Sequence, residues 1–192
     1  MQLDLCDIII GKKTYPNWTT GNEYQLQVFE NTQQYAIIGY RTIHGHTFKR
    51  KFPRFLEINN SFLWLIGFIR GEGSHSKGKS GYLRFTLTNS DSYLMKNAIN
   101  SLIKSGLINR KTLPVRSIKI GRSSLHDDSE LMEHWGKELG FSKEYFYFTN
   151  KRDENKKQKF GTCHLYISDV LLRRVMDIIL DHIEKSELNF SS

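Results

Sequence analysis

One carboxylate in this sequence stands where chemistry can be built. Glu72 lies between Gly71 and Gly73, directly after the apolar run Phe62-Leu63-Trp64-Leu65-Ile66-Gly67-Phe68-Ile69 and Arg70. Asn60 or Ser61 can cap a helix over that run, and the glycines can end it. Its apolar residues lie nearly all round, which predicts burial on all sides. Gly67 and Gly71 are four apart and share one face. Glycine inside a helix costs about 1 kcal/mol relative to alanine, a cost offset when another backbone approaches closely. Two such helices packed through their glycines would bring two copies of Glu72 together. Each carboxylate would then sit at a negative helix end beside a like charge, and both effects disfavour ionisation. A divalent cation between them removes the conflict and supplies a water nucleophile. Hard oxygen ligands select Mg2+ or Mn2+, and a basic strand nearby favours a phosphodiester substrate.

The distribution of charge supports a polyanionic partner. The 192 residues carry a net charge of +8. Residues 60–120 hold ten Lys/Arg against two Asp/Glu, an excess equal to the whole net charge, while residues 1–59 stand at +2 and residues 121–192 at −2. Nucleic acid is the commonest partner of such a surplus. Aromatics at 12% and charged residues at 25% fit a folded domain. No apolar stretch is long enough for a membrane span, and Met1-Gln2-Leu3-Asp4 does not read as a signal peptide. Cys6 and Cys163 are too few for a disulfide framework, so a cytoplasmic protein is expected, or an organellar one in a eukaryote.

The elements that must position Glu72 follow from periodicity. Tyr82 to Thr88 alternates, with Leu83, Phe85 and Leu87 facing inward and Tyr82, Arg84, Thr86 and Thr88 outward. A helix capped by Ser90 or Asp91 carries Leu94, Met95, Ala98, Ile99, Leu102 and Ile103, and Gly106 stops it. Val115 to Ile120 predicts a strand with Ser117 and Lys119 outward. Asp128 or Ser129 caps a helix with Leu131, Met132, Trp135 and Leu139 on one face. Strands follow at Tyr145 to Thr149 and Thr162 to Ile167. A last helix, capped by Ser168 or Asp169, carries Leu172, Val175, Met176, Ile179, Leu180 and Ile183. Residues 1–59 form an N-terminal extension, partly β. Within it, Phe48-Lys49-Arg50-Lys51-Phe52-Pro53-Arg54-Phe55 interleaves bases with aromatics and reads either as a nucleic-acid arm or as a strand edge guarded by lysines.

The segment Leu65-Ile66-Gly67-Phe68-Ile69-Arg70-Gly71-Glu72-Gly73-Ser74 resembles the motif of the LAGLIDADG homing endonucleases, in the variant ending Gly-Glu-Gly. Tyr82-Leu83-Arg84-Phe85-Thr86-Leu87-Thr88-Asn89-Ser90-Asp91 is similar to that family's strand leading into its second helix. His164-Leu165-Tyr166-Ile167-Ser168 is similar to its last strand. The resemblance covers residues 60–185 and implies an α+β fold of order αββαββα, in residues 60–192, whose curved antiparallel sheet forms a saddle on double-stranded DNA. With one motif in the chain, it implies a homodimer cutting both strands of a long pseudo-palindromic site of an intron or intein.

On that resemblance Glu72 is the metal-binding acid, Gly71 lends a backbone carbonyl, and Asn89 stands near the active site. Arg84, Thr86, Thr88, Arg116, Lys119 and Arg122 are the expected DNA contacts, and Lys119 or Lys151 would be the basic residue at the scissile phosphate. Arg70 stands where the family has its first Asp, residues 74–81 are short for its first strand, and residues 121–160 exceed the minimal fold. The alternative is a non-cleaving DNA- or RNA-binding protein on the same scaffold, an intron maturase or a transcription regulator. Other clusters read more simply: Asp127-Asp128 as a helix cap, Cys163 as core, and Lys151 to Lys159 as a solvated loop.

Overall fold

A computed structural model of the chain describes residues 2–9, 14–16, 23–42, 44–72, 85–152 and 159–190. The chain is a mixed α+β protein. Its first part is largely β: β1 (Gln2–Asp4), a short helix α1 (Leu5–Ile9), β2 (Thr14–Pro16), β3 (Glu23–Gln25), β4 (Gln27–Asn31), β5 (Tyr35–Arg41), β6 (Thr47–Pro53) and β7 (Phe55–Glu57). β4, β5 and β6 form an antiparallel sheet with β5 in the centre, while β1 pairs with β7 and β2 with β3.

The second part begins with α2 (Asn60–Glu72), the helix expected over the apolar run. Its cap is Asn59, one residue earlier than expected: the Asn59 Oδ1 accepts from the Phe62 amide at 3.0 Å. After it come β8 (Phe85–Asn89), α3 (Ser92–Lys104), β9 (Ile118–Arg122), α4 (Asp128–Leu139), β10 (Phe146–Arg152), β11 (Cys163–Ile167) and α5 (Val170–Phe190). Expected strand residues 74–77 and 82–84, with Arg84 among them, lie outside the described residues, as do residues 153–158 of the charged loop. Asp91 caps α3 by accepting from the Tyr93 and Leu94 amides. Asp127, rather than Asp128 or Ser129, caps α4 in a reciprocal pair with Glu130, and Gly140 ends it with φ 68°. That accounts for Asp127 as a structural acid.

The sheet of this part runs β10-β9-β11-β8. It is not antiparallel throughout, as expected, but mixed. β11 runs antiparallel to both of its neighbours, β8 and β9, while β10 runs parallel to β9. The reason is α4, which fills the long stretch after β9 and carries the chain back to the starting end, so the next strand must point the same way.

Leu87, Leu165, Ile118 and Phe146 align across the four strands and are buried under the helices. The residues of α3 predicted inward are the buried ones, Met95, Ala98, Ile99 and Leu102. The buried side chains form one continuous cluster, from Leu3 of β1 to Ile183 of α5, across the junction at residues 59 and 60. α1 packs on α5, and Arg50 of β6 forms an ion pair with Asp169 ahead of α5. Cys6 and Cys163 are buried free thiols. Among the described residues no helix is long and apolar enough to cross a membrane.

Candidate nucleic-acid interface

α2 is not buried on all sides. Phe62, Leu65, Ile66, Phe68 and Ile69 pack inward against α3 and β8, but Leu63 and Trp64 remain 44% and 37% exposed. Gly67 and Gly71 are exposed as well, and a Cβ built on either would meet nothing within 4 Å. Positions 63, 64, 67 and 71 recur at three- and four-residue steps, so they form one open stripe of apolar and small residues. Arg70 turns aside to pair with Glu184 of α5 at 3.1 Å. Glu72 is the last residue of the helix.

β8 packs against α2 and opens the four-stranded sheet, whose face away from the core is polar because strand side chains alternate. Register aligns Thr88 with His164, His164 with Lys119, and Lys119 with Tyr147, one transverse row over all four strands. The Thr88 hydroxyl and His164 Nδ1 lie 3.0 Å apart in hydrogen-bond contact, and the imidazole stacks beside Tyr166. Burial, reinforced by the Lys119 ammonium, pushes the His164 pKa below its ordinary value and keeps the ring neutral. The row therefore offers a hydroxyl, a neutral imidazole, an ammonium and a phenol. That set can donate to phosphate oxygens and exchange hydrogen bonds with base edges.

The expected contact residues divide. Thr88 and Lys119 fall in the row. Thr86 shares their face but is only 3% exposed, and its hydroxyl is buried without a hydrogen-bond partner, as is that of Ser117 nearby. Burial removes Thr86 from direct contact. Arg116 is exposed just before β9, its guanidinium 5.8 Å from the Tyr147 ring centroid. It holds a left-handed φ of 57°, a conformation that costs a side-chain-bearing residue about 1–2 kcal/mol.

Arg122 follows Ile118 and Ile120 on the helix side of β9, where it grips Asp128 of α4 with two nitrogens at 2.7–3.0 Å. Alternation and that fork-like pairing take it out of the expected DNA face. Asn89 ends β8, but its Oδ1 accepts from the Asp91 amide at 2.8 Å and so shapes the turn into α3. His164, Tyr147 and Tyr166 were missed as contacts. The alternation of β11 and the pairing of β10 with β9 were the signals that could have supplied them.

Among the described residues no group of three or more His, Cys, Asp or Glu is placed to hold a metal ion. An open cavity of about 740 Å³ lies away from Glu72, between β6 and the turn from β11 into α5, lined by Tyr35, Arg50, Pro53, Ile108, Pro114 and Asp169. Of its charged groups, Arg50 and Asp169 are paired with each other, and Lys51 stands over the Tyr35 ring. Comparisons with protein-family models, with curated proteins and with solved structures find no match to this chain.

Proposed function

We propose that the chain is a site-specific DNA endonuclease that acts as a homodimer on a long, pseudo-palindromic duplex, hydrolysing one phosphodiester per strand. The observation that carries this reading is the open stripe Leu63–Trp64–Gly67–Gly71, which ends at Glu72. A second copy of α2 fits that stripe. Glycines let two backbones approach, and covering the exposed parts of Leu63 and Trp64 contributes about 1 kcal/mol per side chain. Packing the twin there brings both Glu72 residues to one end of the interface.

The same reading assigns the metal to that end. Gly71 lies in the last turn of α2, where carbonyl oxygens lack helical partners, and the space beside its Cα is open. The Glu72 carboxylate and the Gly71 carbonyl are hard oxygen donors that would hold Mg2+ or Mn2+. The bound ion would supply a nucleophilic water and offset charge at the scissile phosphate. Lys119 neutralises a backbone phosphate, Thr88 and Tyr147 hydrogen-bond to the duplex, and neutral His164 holds Thr88 in place. Arg116 steers the flanking backbone.

Incubation of a plasmid carrying the gene's own locus with the protein and Mg2+ should give a single linear product. Glu72→Gln should slow cutting by at least about a hundredfold with binding retained, because a lost metal ligand forfeits several kcal/mol of transition-state stabilisation. An unchanged rate would remove Glu72 from the site. Tight binding without cutting by the wild type, in Mg2+ and in Mn2+, would make the chain a non-cleaving binder such as a maturase or transcription regulator. A monomer on DNA in sedimentation would overturn the paired-helix arrangement.

A further inference from the structure

The geometry points to a second DNA-binding surface, the outward face of β4–β6, where Arg41, Lys49 and Lys51 are arranged to bind the phosphate backbone outside the stretch held by the four-stranded sheet. It rests on the reading of the chain as a duplex-DNA-binding protein and extends it to the N-terminal part.

Register assigns the face. Ile37 pairs with Lys51, Gly39 with Lys49 and Arg41 with Thr47, so these residues point one way, while Ala36, Ile38 and Phe52 are buried on the other. Alternation thus divides the basic run of β6. Arg50 goes inward to Asp169 and the Leu107 carbonyl, whereas Lys49 and Lys51 go outward and are exposed. Beyond the strand, Arg54 is spent on Asp4 of β1 at 2.9 Å.

The outward cations are held by aromatic rings. Phe29 is the extra residue of a bulge between Val28 and Glu30, and its ring lies over Gly39, where an added Cβ would stand 3.1 Å from it. Lys49 Nζ sits 4.5 Å from that ring's centroid and the Arg41 guanidinium 5.7 Å. Lys51 Nζ sits 3.6 Å from the Tyr35 centroid. Ring contacts fix cations without neutralising them, unlike the carboxylates that hold Arg50 and Arg54. The acid on this face, Glu30, already accepts from the Tyr35 hydroxyl at 2.6 Å. Three fixed cations against one acid leave the face net positive, which complements a polyanion. Assigned to phosphates rather than to base edges, these cations add affinity without sequence preference.

The test measures binding of wild type and of the triple variant Arg41→Gln, Lys49→Gln, Lys51→Gln to a mixed-sequence duplex of about 40 base pairs over a salt series. The expected result is at least about tenfold weaker binding for the variant at low salt, with a salt slope shallower by about 2–3 per protomer engaged and target preference unchanged. Lys49→Gln alone should lower the slope by about one, which keeps the test open if the triple variant does not fold. An equal slope in wild type and variants would overturn the proposal. So would an equal slope accompanied by self-association of the variant in sedimentation, since the lysines would then only guard the β6 edge. Failure of the wild type to bind any duplex would instead sink the functional reading itself, and this surface with it.

Discussion

On the four-stranded sheet Lys119 stands in the outward row between a neutral imidazole and a phenol, and Arg122 of the same strand is locked to a helix on the other side. On β4–β6 the arginine of the basic run is the one turned inward, and lysines stand outward over aromatic rings. Counting charge along the chain favours the first region, where residues 60–120 hold the whole surplus. Placement redistributes it. Arg70 pairs with Glu184, and Arg110 donates to the Gly140 carbonyl at the end of α4. The N-terminal third, at only +2, meanwhile gathers three of its cations on one face. Whether a cation can meet a ligand is decided by strand parity and by the acid within its reach, and net charge records neither.

That contrast can be broken most sharply at Arg50. Arg50→Met should destabilise the fold by about 2 kcal/mol, because Asp169 and the Leu107 carbonyl both lose a partner. In a chain of this length the melting temperature should fall by about 4–8 °C. The salt slope of DNA binding should stay where it was. A slope that fell with Arg50 would mean that the inward arginine also meets DNA.

Acidification gives a smaller effect, confined to the second part of the molecule. Burial holds the His164 and His134 pKa values below the ordinary 6.5, so near and below that pH the unfolded chain binds protons that the folded chain refuses. Stability should therefore decline as pH falls from 7 through 6.5 towards 5. Lys119→Gln should lessen the decline by removing the cation beside His164 while leaving its burial in place. Melting curves across that range, with imidazole titration by NMR, check both; an ordinary His164 pKa in the wild type would contradict the partial burial of its ring.

Outward lysines should matter least to folding. Lys49→Gln with Lys51→Gln should change stability by less than about 0.5 kcal/mol, since exposed cation–ring contacts are weak and the glutamines keep the strand. Chemical denaturation settles the point. A loss near that of Arg50→Met would erase the distinction between inward and outward charge.

How far these regions could be read from sequence follows from the same physics. The helices were legible, because Met95, Ala98, Ile99 and Leu102 repeat at helical steps and Asp91 is a strong cap. The exposed stripe of α2 was half legible. The four-residue spacing of Gly67 and Gly71 puts them on one face, but which sides of the helix the chain itself covers depends on α3 and β8. Arg122 could not be placed, since its partner Asp128 belongs to a helix whose start was expected one or two residues later. Thr86 was assigned to the outward face by parity, correctly, yet parity carries no information about what lies over a face. In the N-terminal part the bulge at Phe29 breaks the alternation that would have shown the aromatic and basic residues sharing one side.

One contact also bears on how the molecule is made. α1 rests on α5, and the Arg50 that steadies the first large sheet finds its acid at Asp169. α1 also packs on β4, but the α5 side of its cover comes from residues more than a hundred and fifty positions further along the chain. That part of the core therefore closes late in synthesis, and truncation within α5 should leave α1 with one side uncovered.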